Sequence, residues 1–180
     1  KKKKKLIDPT STYGRAAAAA MGRAMDDEII AAALGTAKTG KDGGTDTALP
    51  AGQKIAHGSA GLTIAKLLSA KEVLDANSVD PSITRHIVVS PKQISDLLNN
   101  TTVTSSDFNT VKALAQGELS SFVGFNFIVS NRLTTDSNSD RQVIAFASDG
   151  IKVGMGKEPM AKIDERSDKS YATQVYFFFF

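Results

Sequence analysis

The sequence predicts an α+β fold, and three features of its 180 residues support this prediction. An alanine-rich segment near the start has the length and composition of one long helix. The middle of the chain alternates helical and strand patterns, and the last third is dominated by strand patterns. We therefore expect a long helix beside a sheet, in one domain or in two small lobes, since the length permits either.

The long helix has a clear beginning and end. Asp8 is a suitable cap and Pro9 suits the first helical position, while the helical pattern continues to Leu34 and Gly35 supplies the stop. About 26 residues at ~1.5 Å each give a helix about 39 Å long. Two further residues are alternative caps: Ser11 and Thr12. The alanines at 16–20 leave so little side-chain bulk that other backbones can approach closely.

The next stretch, residues 38–60, is rich in Gly, Thr and Asp and predicts an extended loop or a weak hairpin. An amphipathic helix follows at about residues 63–77, and Pro81 comes after its end. Its apolar face comprises Ile64, Leu67, Leu68 and Leu74. We expect this face to pack on a sheet.

A buried strand and two short helices are predicted next. The strand is ITRHIVV, residues 83–89, and Ser90, Pro91 and Gln93 then fit a capping box with proline at the first helical position. The apolar residues of the first short helix are Ile94, Leu97 and Leu98. The second helix runs over Asp107–Gly117, with a capping residue at its start and a glycine at its end.

The remainder of the chain predicts strands. A polar loop at 134–140 separates two of them, and Asp149-Gly150 is a hairpin turn signal. The predicted strands are FVGFNFIVS at 122–130, QVIAFA at 142–147, a short strand at 151–153, and an alternating run at 171–177. The two homopolymeric ends, Lys1–Lys5 and residues 178–180, are interpreted as filler or artefact and are left out of the fold prediction.

Composition excludes several classes of function. Removing Lys1–Lys5 from the 22 basic residues leaves 17 against 19 acidic residues, a net charge of −2, so the basic stripe of a nucleic-acid binder is not expected. The sequence contains no cysteine, which excludes disulfides, zinc–thiolate sites and cysteine nucleophiles. No apolar run of about 18 residues and no signal-peptide pattern is present, so neither a membrane span nor secretion is predicted.

Three groups of residues invite a catalytic or metal-binding interpretation. Asp26, Asp27 and Glu28 are consecutive in a predicted helix, so their carboxylates point around it and not at one another. His57 lies in a glycine-rich loop and His86 in a strand, and neither has a set of carboxylates at metal-ligand spacing. We interpret the acidic group as a solvated or interface face and the histidines as structural.

Two glycine-rich segments and one serine also fail as functional motifs. The loop GKDGG at 40–44 lacks the spacing of a Walker loop, and the glycines around 153–157 lie in or after a strand. Ser90 is explained by its capping role, because the G-x-S-x-G context of a nucleophile is missing. We predict no catalytic residue, no cofactor-binding residue, no cofactor and no metal ligand, and hence no enzyme.

Four segments follow one another in a distinctive order: TYGRAAAAAMGRAMDDEIIAAALG, ITRHIVVSPKQISDLLNN, VTSSDFNTVKALAQGEL and SFVGFNFIVSNRL. This order resembles major capsid proteins of tailed bacteriophages of the Hong Kong 97 type, and the resemblance covers about residues 6–176. It implies a Hong Kong 97-like capsid fold with a long spine helix, a peripheral domain and an axial domain. Residues 6–62 would be spine helix and following loop in the peripheral domain, 63–150 mainly axial domain, and 151–177 strands returning to the peripheral domain.

The resemblance also implies a function and a location. The protein would assemble with itself into pentamers and hexamers of an icosahedral head shell around phage double-stranded DNA, which it would contact without sequence specificity. Scaffold, portal and decoration proteins would be further partners, and assembly would occur in the cytoplasm of the bacterial host. The family has an N-terminal arm and an extended loop before the spine helix, so we expect this chain to be a fragment.

Two alternatives from other classes remain. A small-ligand-binding α+β domain would need a convergent polar pocket and a glycine-rich loop between a strand and a helix. A virion accessory protein that binds DNA would need a basic surface once Lys1–Lys5 are excluded. The sequence shows neither feature, so the capsid interpretation is preferred.

Overall fold

A computed structural model describes residues 12–99, 121–156 and 160–178. The chain divides into two compact units, one formed by Lys1–Glu28 with Val153–Phe180 and the other by Ile29–Lys152. The first helix, α1 (Thr12–Leu34), crosses the boundary between them. The mixture of helices and sheets confirms the predicted α+β class.

Helix α1 ends where the sequence predicts. A side chain at Gly35 would place its Cβ 2.8 Å from the carbonyl oxygen of Ala31, so only glycine fits there without a shift of the backbone. The predicted caps Asp8, Pro9 and Ser11 lie outside the described residues. Ile30 is buried, whereas four of the five alanines at 16–20 are exposed.

The predicted weak hairpin is confirmed. Strands β1 (Ala37–Thr39) and β2 (Thr45–Thr47) pair antiparallel, and all their residues are exposed. Gly40 and Gly43 in the connecting turn have φ angles of 88° and 66°, a region that favours glycine. A single 3₁₀ turn follows at Ala51–Gln53.

Helix α2 (Ile64–Ala76) confirms the predicted amphipathic helix. Thr63 caps it by accepting a hydrogen bond from the backbone N–H of Lys66 at 3.3 Å. Leu67 is fully buried, but Leu68 is 52% exposed, so the predicted apolar face is wrong at that position. Adjacent helical residues point about 100° apart, and only one of the two leucines can face the sheet.

The central sheet contains β3 (Arg85–Val89), β4 (Ser121–Phe122), β5 (Phe125–Val129) and β6 (Ile144–Ala147), and helix α3 (Pro91–Leu98) follows β3. The four strands lie in the order β4-β5-β3-β6. β3 pairs parallel with β5 and antiparallel with β6. The helix predicted at 107–117 lies outside the described residues.

The single strand predicted at 122–130 is wrong, because the run folds back on itself at Val123-Gly124. These two residues have φ angles of 54° and 82° and join β4 to β5 as a two-residue hairpin turn. The strand predicted from residue 83 also begins later, at Arg85. A continuous apolar run therefore concealed a turn.

The core lies between one face of the sheet and helices α2 and α3. Its buried members are Leu62, Leu67, Ile87, Val89, Leu97 and Phe125. Alternate residues of β3 are buried, as expected for a strand with one covered face. The short helix predicted after β3 is confirmed as α3, with Leu97 buried and Ile94 and Leu98 packed against the core.

The end of the chain forms a separate antiparallel ribbon of β7 (Met160–Arg166) and β8 (Ala172–Phe178). β8 confirms the predicted last strand, whereas its partner β7 was missed by the sequence patterns. The predicted turn at Asp149-Gly150 is confirmed by a 2.8 Å hydrogen bond from Gly150 N–H to Ala147 O. No strand follows it at 151–153, so that expectation is wrong.

Candidate functional site

The residues singled out from the sequence as possible chemistry do not converge on one site. Asp26 and Glu28 are exposed on α1 and Asp27 is half-buried, whereas the two histidines belong to a loop and to a strand of the central sheet. Among the residues that the structure describes, no group of three or more His, Cys, Asp or Glu side chains is placed to hold a metal ion.

His86 contacts a serine across the central sheet. Ser148 Oγ donates to the carbonyl oxygen of Thr84 at 2.8 Å and lies 3.0 Å from His86 Nε2. These contacts tie the serine and the histidine to the backbone of the sheet. The ring also packs against Phe146, with centroids 5.6 Å apart, and joins β3 to β6.

His57 has a structural contact as well. Its Nδ1 lies 3.3 Å from Asp140 Oδ2, which links the loop before α2 to the loop before β6. The same loop is held by Lys66, whose ammonium group donates to the carbonyl oxygens of His57, Ala60 and Gly61 at 2.5, 2.6 and 2.9 Å. These contacts hold the loop before α2 in place.

The glycine-rich loop at 40–44 and Ser90 also lack ligand-binding geometry. Residues 40–44 form the turn between β1 and β2, so no helix N-terminus receives a phosphate there. Ser90 begins α3 in the predicted capping box, where its N–H donates to Gln93 Oε1 at 2.7 Å. Ser90 Oγ faces the backbone of Gln93 without completing a hydrogen bond of its own.

A cavity of about 700 Å³ lies beside the buried side chain of Arg85, which is 6% exposed. Arg85 Nη2 donates to Asp75 Oδ1 at 2.5 Å and to Val79 O at 3.1 Å. Asp80 lines the same cavity, and the Ser82 backbone N–H, which donates to it, lowers the pKa of this carboxyl. The carboxylates of Asp75 and Asp80 thus balance the charges of Lys71 and Arg85, which line the same cavity, so the cavity does not favour an anion.

A second concave region is a groove with a volume of about 960 Å³, bordered by the loop before α2, by α2 itself and by the loop before β6. Leu49 and Ile55 stand at this groove and are each 43% exposed. Further large apolar side chains are exposed on β5, with Val129 at 55%, and on the terminal ribbon. Exposed apolar surface of this kind is typical of protein–protein contacts.

No helix in the described part of the chain is both long and apolar enough to cross a membrane. The described geometry thus offers exposed apolar surfaces around a packed core. These properties fit a subunit that acts through its surface.

A sequence model of the family described as phage capsid protein matches residues 2–180. The chain belongs to this family. As a phage capsid protein it is a component of the virion. This confirms the resemblance to phage capsid proteins drawn from its segments.

One solved structure is similar to this capsid chain in fold. It is the capsid structure of the cyanophage P-SCSP1u, with a TM-score of 0.55 and 18% sequence identity. The similarity covers 95% of this chain and 60% of the solved chain, so the chain spans about three fifths of that protein's length. No curated protein matches the sequence.

Sequence reasoning missed two structural features of this capsid chain. β7 is charged at four of its seven positions, and this composition hides a strand from a search for apolar alternation. Arg85, in the middle of an apolar run, gave no signal of its buried pair with Asp75, because that pair depends on a neighbouring helix.

Proposed function

We propose that this chain is the shell-forming part of a tailed-phage major capsid protein of the Hong Kong 97 type, which assembles into pentamers and hexamers of an icosahedral head around double-stranded DNA. The observation that carries the proposal is the family match over residues 2–180. The α+β fold and the exposed apolar surfaces support it. The protein has no catalytic role in this proposal.

The proposal assigns different stretches of the chain to two domains. Residues 6–62 and 151–177 belong to a peripheral domain, and residues 63–150 mainly to an axial domain. The grouping of Val153–Phe180 with Lys1–Glu28 in one compact unit supports a return of the last strands to the peripheral part, whereas the same division places residues 29–62 with the central unit. The central sheet, with α2 and α3 on it, supports an axial domain that folds around its own core.

The remaining partners follow from the same proposal. Contact with packaged DNA is weak and independent of sequence, because the net charge without Lys1–Lys5 is −2. Scaffold, portal and decoration proteins share the particle, and the shell assembles in the cytoplasm of the bacterial host.

Electron microscopy of the complete protein, expressed with any scaffold protein that it needs, tests the proposal. We expect closed particles with five- and six-fold clusters of subunits. A matched control is Leu67→Asp, which buries a charge in the core and should abolish both folding and particles. Monomers alone under every assembly condition would contradict the proposal.

A further inference from the structure

The terminal ribbon has the geometry of an incomplete sheet. β7 and β8 pair over seven residues each, from Met160 opposite Phe178 to Arg166 opposite Ala172. In the described part of the chain this sheet has two strands only, and all six other strands belong to two other sheets. A lone two-stranded hairpin is marginally stable in water, so a ribbon of this length gains from a further strand.

Exposure of the ribbon leads to the same conclusion. Met160 and Tyr176 are 45% and 54% exposed, and Lys162 and Gln174 are exposed as well. Lys162 lies opposite Tyr176 in the register, so these side chains share one face. The ribbon therefore presents an open face and long open edges.

The two edges differ in charge. β7 carries Lys162, Asp164, Glu165 and Arg166, with an ion pair of 3.1 Å between Lys162 and Asp164. β8 has the sequence ATQVYFF and carries no charge. Charged side chains on an edge strand, lysine above all, oppose the addition of another strand. The edge of β7 is thus protected against pairing, and the edge of β8 is not.

We propose that the outer edge of β8 is an assembly edge, which pairs strand to strand with an extended segment of a second copy of this chain in the shell. The inference rests on the proposed function as a shell subunit. A second copy is the fitting occupant because a capsid protein meets other capsid subunits, and every other described strand of the chain is paired in a different sheet. Main-chain hydrogen bonds supply such a contact without requiring a specific side-chain pocket.

Amide hydrogen exchange at single-residue resolution tests this edge, with assembled particles compared with unassembled subunits. Alternate residues of β8 direct their N–H groups away from β7, and we expect these amides to exchange at least ~10-fold more slowly in particles. The outward amides of β7 are the internal control and should be unchanged. If the natural chain forms no particles, the proposed function is contradicted, and the inference about the edge falls with it. A failure of the inference alone leaves the particles intact.

Two outcomes with intact particles would overturn the inference. Equal exchange of the outward β8 amides in subunits and particles would mean that no strand is added. Protection already present in unassembled subunits would mean that a segment of the same chain occupies the edge. Protection that arises only on assembly supports a second copy.

A pair of variants provides a second test. Gln174→Lys places a charge on β8, and Glu165→Lys changes the charge on β7 by a larger amount. We expect Gln174→Lys to reduce particle yield at least ~10-fold with an unchanged melting temperature of the subunit, and Glu165→Lys to leave the yield within about twofold. Equal yields from the two variants would contradict the asymmetry of the edges.

Discussion

Val123 and Tyr171 both have backbone angles that L-residues rarely adopt, but their surroundings differ. Val123 has a φ of 54° and packs against the core, whereas Tyr171 has a φ of 57° and is 70% exposed. A left-handed conformation costs roughly 1–2 kcal/mol for a residue with a Cβ. At Val123 the packing of the side chain offsets this cost, and at Tyr171 little packing does so.

We therefore expect glycine to have different effects on stability at the two positions. Tyr171→Gly should stabilise the terminal ribbon by about 1 kcal/mol, whereas Val123→Gly should change the stability of the central unit by less than ~1 kcal/mol, because strain relief and lost packing oppose each other. Hydrogen exchange of the ribbon amides and urea unfolding of the central unit are the measurements. Faster exchange in the ribbon of Tyr171→Gly would contradict this account.

Arg85 and Asp75 form a pair whose two members are unequally buried, at 6% and 46% side-chain exposure. Asp75→Asn leaves a buried guanidinium without its counter-charge, whereas Arg85→Met leaves only a carboxylate that water reaches. We expect Asp75→Asn to cost about 2 kcal/mol of unfolding free energy, and Arg85→Met to cost less. Urea denaturation measures both.

An exposed pair in the same unit is the control. Lys92 and Asp96 lie 3.3 Å apart on α3 with Lys92 83% exposed, so Lys92→Ala should change the unfolding free energy by no more than ~0.5 kcal/mol. A larger cost for Arg85→Met than for Asp75→Asn would show that desolvation of the guanidinium is not the deciding effect.

Among the elements, the ribbon turn contains a charge pair with a defined pH dependence. Arg166 donates hydrogen bonds to both carboxylate oxygens of Asp168 and lowers the pKa of that carboxyl below its ordinary value of 3.8. A depressed carboxyl pKa contributes stability that is fully present above the ordinary value and is lost as the pH falls through the depressed one. The turn should therefore be unaffected from neutral pH down to about 5.

Chemical shifts of residues 166–171 followed by NMR from pH 7 to pH 2 test this dependence. We expect them to move only below about pH 3.8 in the natural chain. In Asp168→Asn the acid transition of these residues should disappear. A transition near pH 6 would indicate a different group.

The alanines at 16–20 give helix α1 a surface with little side-chain bulk, and we expect this surface to pack closely against other subunits. Ala18 is exposed in the subunit, so Ala18→Leu should change helix stability by only a few tenths of a kcal/mol. Where subunits pack closely, overpacking costs about 1–3 kcal/mol per contact, and a shell repeats the contact many times. We expect folded subunits that fail to form particles, by circular dichroism and electron microscopy.

The same substitution at the other four alanines of 16–20 maps the extent of this surface. Positions that tolerate leucine lie outside the contact. Normal particles from all five variants would show that the face is solvent-exposed in the shell.

At the scale of the whole molecule, charge governs contact with DNA. Without Lys1–Lys5 the chain is slightly acidic, so we expect weak binding that falls steeply between 50 and 200 mM salt and does not depend on sequence. Fluorescence anisotropy with two short duplexes of different sequence measures this. Deletion of Lys1–Lys5 should remove most of the remaining affinity, and selective binding by the deleted form would contradict the prediction.

Local interactions determined much of this protein from sequence alone. The C-terminal end of α1, helix α2 and the capping box of α3 follow from contacts within a few residues, such as the side-chain cap of Thr63 and the clash that any Cβ at Gly35 would meet. Strand β8 follows from its alternating pattern. The ordered segments also indicated the family.

Tertiary structure decided the rest, because strand partners and burial depend on residues far apart in the chain. The apolar run at 122–130 turns at Val123 since its valine gains packing against a core that only the folded chain possesses. Leu68 is exposed and Arg85 buried because α2 presents one face to the sheet and supplies Asp75 beside it. β7 is a strand because β8 pairs with it along seven residues, a contact that no pattern within β7 encodes.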